Sequence, residues 1–268
     1  MLVQSFLVQG ATAVVVSRLS SIPAADVLVL FSLGLDNAAL AKAVYLTDTY
    51  GILGFDEAIG RNIELMEKDR GSEYGCVGGS GGEGCLVAGF SDGAVAGHSD
   101  IPPENARSCM IVADQSKTWA KVQSKSTVQY GGITKECWKV TEDGGLAKVP
   151  YFWVADTSST PTGISTFTEE DAKSPVQSLL KDIPAGLKPS SVGLFPCFTR
   201  GVNLYGAEHV EPTAISSILP QARIYGMFAH GELGPDSFSG YVSSPNQIAC
   251  KQHSMTSILT IHTEKTDA

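Results

Sequence analysis

The stretch SVGLFPCFTRGVNLYGAEHVEPTAISSILPQARIYGMFAHGELGP, residues 191–235, decides the fold class. Residues 191–198 form an uninterrupted apolar run, as expected of a strand covered on both faces. A glycine-bearing loop, 199–211, follows. Pro212 then sits where a helix can begin, because its missing N–H would have no helical partner there. The helix is expected to reach Leu219, where Pro220 stops it. Residues 223–235 read as a strand running into a glycine turn. Strand, loop, helix and strand with this spacing make a βαβ unit, so the chain is read as α/β.

A second unit has the same beginning. VLVLFS at 27–32 is again an apolar strand, followed by Gly34. DVLVLFSLG (26–34) therefore parallels SVGLFPCFTRG (191–201). YGCVGGSGGEG (74–84) parallels YGMFAHGELG (225–234). This faint repeat predicts two related α/β lobes with mixed sheets flanked by helices, over 1–160 and 161–268. The Ser/Thr/Gly/Pro stretch at 156–168 is the expected connection. Between the units, Asn37 caps an expected helix carrying Leu40 and Val44. Phe55, Ala58, Ile59, Ile63 and Met66 fall at helical spacing, which predicts a helix over about 55–70. Further strands are expected at 109–113, 118–130, 148–155, 236–243 and 255–262, a loop at 93–108, and a helix from Ser174 to Lys181.

Composition bounds the function. The 268 residues carry 19 Lys+Arg against 28 Asp+Glu, a formal charge of −9. Without a basic cluster there is nothing to displace phosphate counterions, which argues against nucleic acid and against anionic membrane surfaces. No apolar run reaches the ~18 residues of a spanning helix. The expected setting is intracellular. Hydrophobic residues at 43% with only 18% charged residues argue for a folded chain. Glycine, 28 of 268, is abundant and points to tight turns.

Several motifs are absent or out of context. The six cysteines form no CxxC pair, and the histidines form no zinc pattern, so no metal and no cofactor is expected. Gly79–Gly84 matches GxGxxG, but a β-prone segment follows it where a nucleotide site needs a helix. A hairpin loop is the better reading. No phosphate loop occurs.

One constellation stands out: Cys197, Arg200, His209, Glu211, His230 and Glu232. A guanidinium three residues from Cys197 would favour the thiolate, and His209 or His230 could serve as its base. His230-Gly231-Glu232 lies on a turn at a strand end, where ligands approach α/β sheets. The plainer alternative makes Cys197 core and pairs Arg200 with Glu211 or Glu232. Both readings stay open on sequence.

These residues also carry a family resemblance. LFPCFTRGVNLYGAEHVEPTAISSILPQARIYGMFAHGELG resembles the C-terminal part of FIST domains, above all those of F-box ubiquitin-ligase subunits. The family pattern is an apolar strand into C-x-G-R-G, an acid before a helix, then a strand into G-E-I/L-G. Cys197, Arg200, Gly201, Glu211, Gly226, Gly231, Glu232 and Gly234 match it. Thr199 replaces the family's glycine before the arginine, and His230 precedes the final Gly-Glu. The match covers about 175–263 and is weaker over 26–113.

The resemblance implies a non-enzymatic recognition or sensory module for a protein substrate or a small ligand, acting in ubiquitin-dependent degradation. It marks Cys197, Arg200, Gly201, Glu211, His230, Gly231 and Glu232 as site candidates, with Gly78 and Gly79 secondary. The F-box is not visible in residues 1–35. Docking to the Skp adaptor and cullin is therefore expected only if an F-box precedes this sequence.

Overall fold

A computed structural model describes residues 2–10, 25–36, 45–67, 82–91, 93–99, 101–116, 118–122, 128–158, 160–168, 171–236, 239–242 and 248–266. The chain is α/β with mixed sheets. Its strands fall into three successive sets. The first holds β1 (Leu2–Gln9), β2 (Val27–Leu33), β3 (Tyr45–Asp48), β4 (Gly51–Asp56), β5 (Arg61–Met66) and β6 (Gly84–Ser91). The second holds β7 (Ala94–Gly97), β8 (Ser108–Ala113), β9 (Val128–Ile133), β10 (Glu136–Val140), β11 (Leu146–Val149) and β12 (Tyr151–Asp156). The third holds β13 (Thr162–Phe167), β14 (Leu187–Pro196), β15 (Arg223–Met227), β16 (Glu232–Pro235), β17 (Ser239–Val242), β18 (Cys250–His253) and β19 (Ser257–Lys265). Helices α1 (Lys173–Lys181), α2 (Val202–Tyr205) and α3 (Val210–Ile218) belong to this last set.

Strand pairing repeats three times. One run is ordered β11-β10-β3-β2-β6-β1, another β18-β16-β9-β8-β12-β7, and a third β5-β4-β15-β14-β19-β13 with β17 beyond it. In each, the third and fourth strands pair in parallel and all other neighbours are antiparallel. The first and third runs join into one thirteen-stranded sheet through a single register pair, Leu7 with Asp56. The pairings group the strands into three repeats, six strands in each of the first two and seven in the third. Repeat units of this kind stabilise one another by burying a shared core.

In every repeat one hairpin is given away. β4–β5 extends the run of the third repeat, β10–β11 that of the first, and β16–β18 that of the second. The exchange is cyclic, so no repeat completes its own sheet.

One buried cluster takes Val29 and Phe31 from β2, Met110 and Val112 from β8, and Phe195 from β14, so all three runs meet in it. The opposite parity forms separate outer clusters. Leu30 and Leu46 lie in one, Cys109 and Ile111 in another, and Val192 and Leu194 in a third with Val176 and Leu179 of α1 and Ile215 of α3. Strands with apolar residues on both faces are what the continuous runs at 27–32 and 191–198 predict.

Four expectations change. Residues 55–66 are the end of β4, a turn and β5, not a helix. Asn62 and Glu64 are buried along β5, and Asn62 accepts the Ile224 amide and donates to Ser216 and Ala222. Those distant partners make an exchanged strand acceptable where the local spacing reads as helix. Residues 118–122 form a 3-10 turn, so the strand there begins only at Val128. The proposed connection at 156–168 contains β13, and the loop at 93–108 contains β7. The expected helix from Asn37 and the glycines Gly78 and Gly79 lie outside the described residues.

Candidate functional site

The loops at the C-terminal ends of the parallel pairs carry the candidate residues, and they separate into three places. Arg200 and Glu211 form the first. The Arg200 side chain is 2% exposed, and its Nε donates to Glu211 Oε1 at 2.6 Å. Nη2 donates to the Tyr205 hydroxyl at 2.7 Å, and Nη1 to the carbonyls of Thr168 and Met255 at 3.2 Å each. Tyr205 and Ser257 donate to Glu211 in turn. The guanidinium also lies 5.4 Å from the Phe167 ring centroid. Burial disfavours its charge, yet Glu211 and Tyr205 outweigh that and raise its pKa. The pair ties α2 and α3 to the loop before β19. It is an internal clamp, in line with the plainer sequence alternative.

Cys197 and Glu232 form the second place. Cys197 closes an isolated bridge with Ala229 and accepts the Thr199 hydroxyl at 3.1 Å. Burial and the neighbouring Glu232 raise its thiol pKa. The thiolate expected from Arg200 is therefore corrected, because the guanidinium is engaged by Glu211 and the charge facing the sulfur is acidic. Glu232 is fully buried, and its Oε2 accepts the Thr256 amide and hydroxyl. Oε1 has no hydrogen-bond partner among the described residues. Burial lifts the carboxyl to about 7, partly offset by Thr256 and Cys197.

His209, the other candidate base, faces β5, where its Nδ1 accepts the Glu64 amide at 3.1 Å. All five described cysteines are buried. We predict that iodoacetamide alkylates Cys197 at pH 7.5 at least about tenfold slower than a free thiol of ordinary pKa near 8.5. Peptide mass spectrometry reads the rate, and labelling as fast as the free thiol contradicts the geometry.

A raised carboxyl pKa also sets a pH dependence. Below the ordinary value of 4.5 both folded and unfolded Glu232 are protonated. Between 4.5 and about 7 the unfolded chain ionises first, so stability falls as pH rises, by about 3 kcal/mol in all at 1.36 kcal/mol per unit. The expected result is a melting temperature that drops from pH 5 to pH 8 by more than in Glu232→Gln. Parallel curves for the two proteins would contradict the assignment.

His230 belongs to the third place, together with residues that sequence reasoning missed. Three equivalent backbone bonds fix the correspondence between repeats: Thr49 N to Ser32 O, Thr134 N to Ala113 O and Ala229 N to Pro196 O. The next residues, Tyr50, Lys135 and His230, therefore occupy one position three times. A ring of main-chain bonds locks these turns together. Lys135 N donates to Asp48 O, His230 N to Ile133 O, Phe228 N to Gly51 O and Ile133 N to Gly231 O. The backbone alone closes the ring, and the side chains at 50, 135 and 230 take no part in it.

Those side chains converge. The Tyr50 and His230 ring centroids are 5.8 Å apart, and Phe198 stacks on His230 at 5.2 Å and 13°. Phe198 and Gln115 are themselves equivalent, each two residues past the matched carbonyl. Gln115 Nε2 donates to the Tyr50 hydroxyl at 2.7 Å. The Lys135 ammonium lies 5.5 Å from the Tyr50 centroid, 2.9 Å from Glu67 and 3.9 Å from Asp48. Asp48 is raised above the ordinary carboxylate range, chiefly by burial, with Glu67 and Glu136 adding to it and Lys135 opposing. The junction thus has an aromatic floor of Tyr50 and Phe198 beneath partly exposed Lys135, His230 and Glu67 and exposed Gln115.

Gly201 and Gly231 shape the approach to these places. Gly201 has φ +63°, and a Cβ there would meet Met66 Sδ at 2.9 Å. A Cβ on Gly231 would meet the Gln252 amide at 2.6 Å. A sequence signal for the junction does exist: Tyr45, Tyr130 and Tyr225 each stand five residues before positions 50, 135 and 230. No protein-family model matches the chain, and no curated protein matches it. Among the described residues no group of His, Cys, Asp and Glu is placed to hold a metal, and no helix is long and apolar enough to cross a membrane.

Proposed function

We propose that the chain is a non-catalytic recognition module whose binding site is the junction of its three repeats. The observation that carries this reading is the convergence of Tyr50, Lys135 and His230, three chemically different side chains on one repeated backbone position. They lie at the C-terminal ends of parallel strand pairs, where α/β sheets present ligand sites. The raised pKa of the Cys197 thiol, the acidic Glu232 beside it and His209 turned towards β5 favour binding over nucleophilic catalysis.

A small-ligand reading draws support from the aromatic floor. A thermal-shift screen of amino acids, amines and small anions tests it, since a ligand of the folded state raises the melting temperature. The expected binder shifts the wild type and leaves Phe198→Ala unshifted. No shift near saturation with any compound removes the small-ligand reading.

The resemblance to FIST domains of F-box proteins supports a second role, presentation of a protein substrate for ubiquitin-dependent degradation. The full-length gene product should then co-purify with the Skp adaptor and cullin. A clean failure with well-folded protein removes the ligase link.

A further inference from the structure

We propose that the junction is a site for a primary ammonium, occupied in this structure by the chain's own Lys135, which an incoming ammonium replaces. The inference rests on the junction being a binding site and names what it binds. An ammonium is favoured by two surroundings at once, carboxylates at short range and the face of an aromatic ring. Lys135 has both. Glu67 is at 2.9 Å and Asp48 at 3.9 Å, and the Tyr50 ring is at 5.5 Å. Glu136 is within electrostatic reach of Asp48 but is itself paired with Lys148 at 2.6 Å. Two acids around one lysine leave a local excess of negative charge, in a chain whose formal charge is −9. Such a site attracts cations and repels carboxylate or phosphate ligands.

Nothing in the fold requires lysine at position 135. The ring of backbone bonds is served there by its amide alone, and the equivalent residues are tyrosine and histidine. The lysine comes from the second repeat, in the link between β9 and the exchanged hairpin, while Tyr50 and Glu67 come from the first and His230 from the third. Its side chain is 24% exposed, so it can swing into solvent on its flexible stem without unfolding a strand. A tethered occupant lowers the apparent affinity for an external ligand by the fraction of time it fills the site. The arrangement therefore holds the site closed to weak ammonium ligands and opens it to strong ones, such as a lysine side chain presented by a basic protein segment.

The test is chemical rescue of Lys135→Ala. n-Butylammonium chloride should raise the melting temperature of this variant in a saturable manner, with at least roughly tenfold lower half-saturation than for the wild type. The neutral analogue n-butanol and equal concentrations of sodium chloride should have no such effect. Adding Glu67→Gln should abolish the rescue. Should Lys135→Ala fail to fold by circular dichroism, butylammonium titrated into 15N-labelled wild type should move the Tyr50, Lys135 and His230 amide resonances selectively.

Rescue by butanol equal to that by butylammonium would overturn the proposal, because then only apolar filling matters. So would binding of an anion or a neutral compound at the junction with no response to butylammonium, an outcome that leaves the binding site standing. No response at the junction to any of these overturns both.

Discussion

Arg200→Ala should lower the unfolding free energy by about 3–5 kcal/mol. Removing the guanidinium leaves the Glu211 carboxylate, 3% exposed, with only the Tyr205 and Ser257 hydroxyls. It also frees the carbonyls of Thr168 and Met255, which hold the segments around β13 and β19. A buried charge stripped of its partner costs far more than the pair itself contributes. Glu211→Ala should therefore cost a similar amount, while Arg200→Met combined with Glu211→Leu should recover much of it. Urea unfolding followed by circular dichroism measures all three. A loss below about 1 kcal/mol for Arg200→Ala, the scale of an exposed pair, would show that the clamp is solvated. The same substitution should leave Cys197 alkylation slow, since burial and Glu232, not Arg200, set the state of that thiol.

What could be read from the sequence follows from where each signal resides. The strands read at 27–32 and 191–198 were legible because the apolar runs are continuous and nearly every residue in them is buried. The parallel pairing of β14 with β15 was legible because strand, helix and strand follow one another within a single segment. Pro212 lies in the first turn of α3, and Pro220 follows two residues after its end at Ile218. The hairpin β4–β5 was not legible, since its stability comes from β15, 160 or more residues away, and from side chains such as Ser216. Helical spacing at Phe55, Ile59, Ile63 and Met66 is what remains when those partners are out of view. Of the candidate residues, Arg200 lies paired with Glu211, and Cys197 lies beside Glu232. Tyr50 and Lys135 were missed, because their convergence with His230 is a property of the repeat, marked in the sequence only by the tyrosine five residues before each, and not of any local motif. The repeat itself conserves position more than identity: Y-L-T-D-T-Y, Y-G-G-I-T-K and Y-G-M-F-A-H share only the leading tyrosine across all three.

The same triplication predicts which glycines cannot be changed. Gly131 and Gly226 follow the equivalent Tyr130 and Tyr225, and both have φ in the glycine-favouring region, +138° and +153°. Their register partners are Ile111 and Leu194, on the parallel neighbour. A Cβ on Gly226 would lie 1.8 Å from the Leu194 carbonyl oxygen, and one on Gly131 would lie 1.9 Å from that of Ile111. Neither obstacle is a side-chain tip that can rotate away. Both are backbone atoms of a central strand, so the parallel pair would have to separate. We expect Gly226→Ala to cost at least about 3 kcal/mol, since backbone strain and overpacking each contribute roughly 1–3 kcal/mol. Gly144→Ala is the internal control. It has φ +81° but open space around it, so only the conformational cost of roughly 1–2 kcal/mol applies. Equal losses at 226 and 144, measured by urea unfolding, would show that the close approach to strand β14 is not real. In the first repeat the matching residue is Leu46, buried in an outer cluster, so only two of the three repeats use the glycine. Four residues beyond each glycine stand Lys135 and His230. The approach that excludes a side chain at 131 and 226 also sets the path by which those two residues reach the junction.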